Sequence, residues 1–237
     1  LKLNDDPKIP PRRDSNGKNW YFYEDIRIHY KCQQIQGQSS LSMVLFNRGC
    51  IHGLIMEKIA ELLFEARMLK EIPRSGFPFL GAGRESVAEH SFSTTFIAYV
   101  LTALTPEADA HRTICMCLLH DLPEARIGDQ NTVHKQYVRI DEDRAFADSV
   151  RDLPFGPSWT ALLAEFNAGQ SMEAKLARDA DQISLVLELK NLLDIGYRSP
   201  SDWLPNVMTR IQTDAGKKVA EAVLETDRDA WWRRICS

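Results

Sequence analysis

The chain has 237 residues, 44% of them apolar and 26% charged, and its 29 Lys and Arg against 33 Asp and Glu give a net charge of -4. That length and balance suit one large domain with a proper core, and nothing global draws it to nucleic acid, so any phosphate-binding site must be local. No apolar run is long enough to span a bilayer, so neither a nucleic acid nor a membrane is expected as a partner.

The first 55 residues differ from the rest. They hold Pro10-Pro11, the aromatic cluster Trp20 to Tyr23 and a polar tract from Gln33 to Ser42, with no persistent helical period. They read as an N-terminal extension, loosely structured or packed on the domain, with residues 56–237 as the domain itself. The N-terminus does not have the make-up of a signal sequence. The five cysteines (Cys32, Cys50, Cys115, Cys117 and Cys236) are odd in number and irregular in spacing. They read as free thiols of a cytoplasmic protein.

From Met56 the pattern turns helical, with Ile59, Leu62, Leu63, Ala66 and Leu69 on one face. A loop punctuated by Pro73, Gly76, Pro78, Gly81 and Gly83 follows. Ser86 to Glu89 fits a capping box that opens a helix running through Val100 and ending before Pro106. Another helix starts near Ala108. Pro123 has no N–H to continue it, and Gly128 is a second stop. Residues 139–152 read as a charged helix, 154–158 as a break and Trp159 to Asn167 as a short helix. Met172 to Leu193 is a long helix, and 214–234 the last one. No stretch after Met56 alternates with a period of two, so the expected fold is all-α.

The chemistry starts from groups that would be costly to bury. His90 has Val87, Thr94 and Ile97 at helical spacing. Asp121 has Ile114, Cys117 and Leu118 one and two turns before it, and His120 lies on the flank of that face. Asp181 has Ala177, Ser184 and Leu185 around it. A carboxylate among such neighbours needs a cation or several donors. Two imidazoles and two carboxylates form a plausible set for a divalent transition ion. Each has a bland reading as well. A lone buried histidine is usually a satisfied core group, and a His-Asp dipeptide is common by chance. Glu124 could favour a helix N-terminus and Asp129 a turn. Asp179 reads as a solvated residue paired with Lys175. His29, His52, His111 and His134 read as surface or structural.

The spacings are more specific together. ESVAEHS, then LLHDLPEARIGD about thirty residues on, then ARDADQI about sixty further, resembles the HD-domain phosphohydrolases, and most closely their 5'-deoxynucleotidase branch. The resemblance covers roughly residues 56–237. It implies an all-α helical bundle, commonly a homodimer, that holds one divalent ion such as cobalt or manganese. It implies His90, His120, Asp121 and Asp181 as metal ligands, Glu124 and Asp129 as catalytic acidic residues, and Arg74 as the contact to substrate phosphate. Family members often place a tryptophan close after that arginine to select deoxyribose. Gly76 and Phe77 stand there in this chain, which makes Phe77 the second substrate-binding candidate and leaves sugar selection open.

The implied activity is removal of the 5'-phosphate from (deoxy)nucleoside monophosphates. A bound ion would acidify a water and draw charge from the phosphoryl group. Glu124 would orient or deprotonate that water, Asp129 would serve the leaving ribose oxygen or bind the sugar, and Arg74 would neutralise phosphate oxygens. Two rivals stand beside this: a phosphodiesterase or di-iron oxygenase of the same fold, and a non-catalytic binding or regulatory module. A dinuclear site would need further ligands between the HD pair and the last aspartate, where only His134 lies.

Overall fold

The computed structural model describes residues 53–236 with their side chains and, ahead of them, only the backbone of two short hairpins and the start of the first helix. In the hairpins β1 (Arg12–Arg13) pairs antiparallel with β2 (Asn19–Trp20), and β3 (Phe22–Tyr23) with β4 (Ile26–Arg27). The helix α1 runs over Leu41–Met68, so it begins ahead of Met56 and crosses the expected boundary of the extension. Leu62 on it and Leu69 just past its end are buried, whereas Leu63, expected on the same face, is 66% exposed.

The elements that follow are helical, and the fold is all-α as the pattern implied: α2 (Phe77–Leu80), α3 (Val87–Ala103), α4 (Ala110–Leu119), α5 (Glu124–Ile127) and α6 (His134–Tyr137), then α7 (Glu142–Ser149), α8 (Gly156–Ala168), α9 (Met172–Asp194), α10 (Pro200–Met208), α11 (Asp214–Glu225) and α12 (Ala230–Cys236). Side-chain caps set several starts. The Ser86 hydroxyl accepts from Glu89 N–H while the Glu89 carboxylate accepts from Ser86 N–H, the expected capping box. Asp109, Asp141, Ser171 and Thr213 cap α4, α7, α9 and α11 from one side only, each side-chain oxygen accepting from the backbone N–H three residues on.

Three differences from the sequence pattern have local causes. The charged helix expected over 139–152 is only α7, started by its Asp141 cap. The last helix is two, because Thr226 turns to extended backbone and closes α11. The helix α10 lies in a stretch, between the long helix and the last one, to which the sequence pattern assigned no element. Pro200 sits in its first turn, where a missing N–H costs nothing.

α9 is the central helix, with α3, α4, α8, α10 and α11 packed around it. Its buried residues, among them Leu176, Ala180, Ile183, Val186 and Leu189, occupy most of its circumference. One core layer gathers there with Leu101, Met116 and Cys117, and a second joins Leu62, Leu69, Val87, Leu119, Leu122 and Phe146. The end of α4 therefore contributes to both layers, and the turn that follows it is clamped between them. No helix among the described residues is long and apolar enough to cross a membrane.

Asp179 corrects the expectation of a solvated carboxylate. It is fully buried on α9. Its Oδ1 accepts from Gln212 N–H at 2.8 Å, and its Oδ2 accepts from Thr213 N–H at 2.7 Å and the Thr213 hydroxyl at 2.6 Å. It ties the start of α11 to the central helix. The i,i+4 spacing to Lys175 gave no sign of this, because the donors come from more than thirty residues away.

Candidate active site

The turn after α4 starts where Pro123 forbids further helix. The Leu122 N–H bonds to Leu119 C=O and Glu124 N–H to Asp121 C=O, and α5 restarts at Glu124. His120 and Asp121 thus occupy a tight turn at the end of α4, with Leu119 and Leu122 anchored in the core on either side. The neighbours expected to face inward with Asp121 divide: Cys117 is buried and Leu118 is 54% exposed. His90 comes from the first full turn of α3 and is 1% exposed among Val87, Thr94 and Ile97, as the spacing implied. Asp181 comes from α9.

These four side chains converge. His90 Nε2 lies 3.0 Å from Asp181 Oδ1 and 3.5 Å from Asp121 Oδ2. His120 Nε2 lies 3.2 Å from Asp121 Oδ2 and 4.0 Å from Asp181 Oδ1. One ligand atom each from His90, His120 and Asp181 fits within 4.8 Å of the others. The His120 Nδ1–H donates to Cys117 C=O at 2.8 Å, which turns Nε2, the nitrogen an ion would take as its ligand, toward the carboxylates. That Nε2 is buried and finds no hydrogen-bond partner, because Asp121 is close but not aligned. A buried imidazole nitrogen without a hydrogen-bond partner, beside two carboxylates, is the arrangement a divalent transition ion satisfies, so the residues fit the ion implied by the resemblance.

Around this centre the acidic groups shift one another. Burial would raise Asp181, but the His90 hydrogen bond and the His90, His120 and Arg74 charges hold it well below the usual carboxylate range. Asp121 is held down in the same way, against its burial, chiefly by His120. Burial would lower His120, yet Asp121 and Asp181 push it up to about 9. Burial, then Asp121 and Asp129, push Glu124 up to about 9. Glu124 Oε2 is buried without a hydrogen-bond partner.

Arg74 reaches into the same acidic group. Its Nη1 is 3.4 Å from Asp121 Oδ2 and 3.6 Å from Asp129 Oδ1. Burial would lower its pKa, but the surrounding carboxylates, Asp121 first, raise it. Asp129 Oδ2 accepts from Ser75 N–H at 2.5 Å and the Ser75 hydroxyl at 2.9 Å, so the loop carrying Arg74 is fastened to the loop carrying Asp129. Next to Arg74 opens a cavity of about 690 Å³ lined by Phe77, Phe79, Arg84, Asn131 and His134. Phe77 lines it while packing in the core at 7% exposure, against Gly83. A Cβ at Gly83, whose φ is +80°, would meet the Phe77 ring at 2.8 Å, so that glycine is required on both counts.

The structure therefore gathers seven of the eight site residues expected from sequence around one centre, with Phe77 behind Arg74 on the cavity wall. It adds three that the sequence did not single out for the site: Ser75 holding Asp129, Gln182 donating to Asp181 Oδ2 at 2.8 Å, and Glu85, whose Oε2 is 4.0 Å from both Arg74 Nε and His90 Nδ1. Burial and Glu188 push Glu85 up to about 7. Gln182 and Ser75 each stand beside an expected site residue, Asp181 and Arg74, and Glu85 opens the ESVAEHS motif, but nothing local reports their contacts. Ser75 and Glu85 act across segments that the sequence separates.

Comparison with known proteins agrees with this geometry. The family model of the HD domain matches residues 66–223. The chain is 25% identical over 136 residues to the human 5'-deoxynucleotidase HDDC2, covering 55% of this chain and 66% of that protein, and 26% identical over 133 residues to the mouse protein of the same name. The chain thus spans a little under two thirds of the length of these relatives. Among solved structures, the PH0347 protein of Pyrococcus horikoshii superposes with a TM-score of 0.60 at 26% identity, covering 70% of this chain and 98% of that one. A metal-dependent phosphohydrolase of Magnetospirillum magnetotacticum, so described by prediction, has a TM-score of 0.55 at 23% identity over 72% of this chain and 93% of its own, a likeness of fold alone. With the family model spanning most of the chain and both histidines and both aspartates brought together, the chain belongs to the HD-domain family.

Proposed function

We propose that the protein is a metal-dependent phosphohydrolase that removes the 5'-phosphate from (deoxy)nucleoside monophosphates. The observation that carries the reading is the meeting of His90, His120, Asp121 and Asp181 around the unpartnered Nε2 of His120, with Arg74 alongside. The names of the human and mouse relatives supply the substrate class. His90, His120, Asp121 and Asp181 hold one divalent ion, cobalt or manganese being suited to such ligands. When bound, the ion supplies Lewis acidity toward water and the phosphoryl oxygens.

The chain's own groups do the rest. Glu124 sits where a water near the ligands can reach it. Its Oε2 is buried with no hydrogen-bond partner in the protein, so it is free to orient that water or exchange a proton with it. Arg74 offers the planar guanidinium that neutralises phosphate oxygens in pairs. Asp129, held by Ser75, faces the leaving ribose oxygen or a sugar hydroxyl. Phe77 and the cavity beside Arg74 are placed to receive the nucleoside. The stacked Phe92 and Phe96, with exposed Tyr99 further along α3 and exposed Leu104 at its C-cap, give an apolar stripe that suits a homodimer. Cys115, Cys117 and Cys236 are free, which suits a reducing cytoplasm.

The test is phosphate release from a panel of nucleoside monophosphates with Co²⁺ or Mn²⁺ added, run beside His120→Ala. The reading expects release by the native chain and its loss in the variant. Equal release by both, or preference for a cyclic nucleotide or a triphosphate, would refute it.

A further inference from the structure

His90 turns Nε2 toward Asp121 and Asp181, so its other nitrogen faces away from the centre. Ser184 Oγ lies 3.3 Å from that Nδ1. Ser184 is 1% exposed and stands nearly one turn after Asp181 on α9, so one helix supplies both a carboxylate ligand and this outer contact. Glu85 Oε2 is 4.0 Å from the same Nδ1 and also 4.0 Å from Arg74 Nε. The backbone fixes Glu85 in place. Its C=O accepts from Arg74 N–H at 2.8 Å, and Pro73 and Ser86 form an antiparallel bridge between the two segments.

We propose that Ser184 and Glu85 are positioning residues that together hold the outer nitrogen of His90, and that Glu85 links this metal ligand to the phosphate-binding Arg74. The proposal rests on the metal-dependent reading above. Its logic is tautomeric. A ring that donates Nδ1–H outward must present a bare Nε2 inward, ready to bind an ion. Without an ion, Nε2–H bonds to Asp181 only 3.0 Å away, and the outer acceptors favour moving that proton to Nδ1 so that Nε2 is freed for an ion. His120 solves the same problem with the Cys117 carbonyl, whereas α3 offers His90 no equivalent carbonyl contact among its hydrogen bonds. Glu85 places one oxygen behind the imidazole and beside Nε of the Arg74 guanidinium.

Mn²⁺ binding to the full chain, measured by titration calorimetry, tests this with Ser184→Ala and Glu85→Ala. Both variants should weaken Mn²⁺ binding by roughly 10- to 100-fold, the scale of losing an outer contact to a ligating histidine. At saturating Mn²⁺, Glu85→Ala should also raise KM for the best nucleoside monophosphate, because Arg74 loses one of its three carboxylate neighbours, the one on its Nε side, while Ser184→Ala should leave KM unchanged. The melting temperature of the metal-free Ser184→Ala protein should match the native one. Native Mn²⁺ affinity in both variants, in a chain that binds Mn²⁺ and releases phosphate, would overturn this inference and leave the function standing. Weakened affinity accompanied by a large drop in metal-free melting would overturn it too, as a general loss of structure. A native chain that binds no divalent ion would overturn both.

Discussion

Asp179 and Asp181 stand two residues apart on the central helix, and they do opposite things. About 200° separates them around the helix, so they address different neighbours. Asp179 meets three fixed donors from Gln212 and Thr213, all within 2.8 Å. Its oxygens are filled by the protein itself. Asp181 meets two imidazoles, one of which has a buried nitrogen with no hydrogen-bond partner. The comparison shows that a buried carboxylate is not in itself a sign of chemistry. What separates a strut from a ligand is whether the surrounding donors complete it or leave a place for something else.

The sharpest way to break that contrast is to remove each charge in turn. Asp181→Asn should lower kcat/KM for a nucleoside monophosphate by at least roughly a thousandfold, about 4 kcal/mol of transition-state stabilisation. The metal-free variant should melt near the native temperature, since the asparagine carbonyl can still accept from Gln182. Asp179→Ala should do the reverse. Three donors lose their buried acceptor, at a cost of about 3 kcal/mol in unfolding free energy read by urea titration. Specific activity per folded molecule should stay within about twofold of native. An unstable Asp181→Asn, or a stable but inactive Asp179→Ala, would reverse the assignment.

The same pair marks how far the sequence was legible. The all-α fold was readable because the long helices carry 3.6-residue apolar spacing and local start signals, such as the Ser86–Glu89 box. The cluster of His90, His120, Asp121 and Asp181 was readable as a candidate metal site because His120 and Asp121 are adjacent and the two flanking motifs stand at recognisable distances. Asp179 was misread because its partners come from another helix, and no rule of local spacing reports them. Leu63 was misread because α1 buries only a narrow face against the second core layer. Helix α10 lies in a stretch to which the sequence pattern assigned no element. Ser75, Glu85 and Ser184 act only through contacts between segments brought together by the fold.

Arg74 offers a smaller test on the functional side of the contrast. It is paired with Asp121 and Asp129 at 3.4 and 3.6 Å, yet a guanidinium has donors to spare for phosphate. Arg74→Lys keeps the positive charge among the carboxylates and loses the fork. It should raise KM by roughly tenfold, with little change in Mn²⁺ affinity. Unchanged KM would remove Arg74 from the substrate site and leave it as a strut, in the same class as Asp179.

The smallest effect belongs to Glu65 on α1, a third carboxylate with its oxygens filled. Arg126 Nε and Nη2 donate to its two oxygens at 2.5 and 2.8 Å, and the Ser149 hydroxyl donates at 2.5 Å. This joins α1 to α5, the short helix that carries Glu124, and to α7. Burial would raise Glu65, but the bonds from Arg126 and Ser149 outweigh it and place its pKa below the ordinary 4.5. A carboxyl lowered by folding contributes stability that is complete above its unfolded pKa, and loses it as pH falls through the folded one. Native protein should therefore exceed Glu65→Gln in stability by about 0.5–1 kcal/mol at pH 6, the scale of a partly exposed bidentate pair. The gap should close as pH drops below about 4.5, where the native carboxylate takes up its proton. Thermal melts of both proteins from pH 6 to pH 3 measure it. A gap that stays constant across that range would mean that Glu65 acts through packing alone, with its charge contributing nothing to how the Glu124 helix is held.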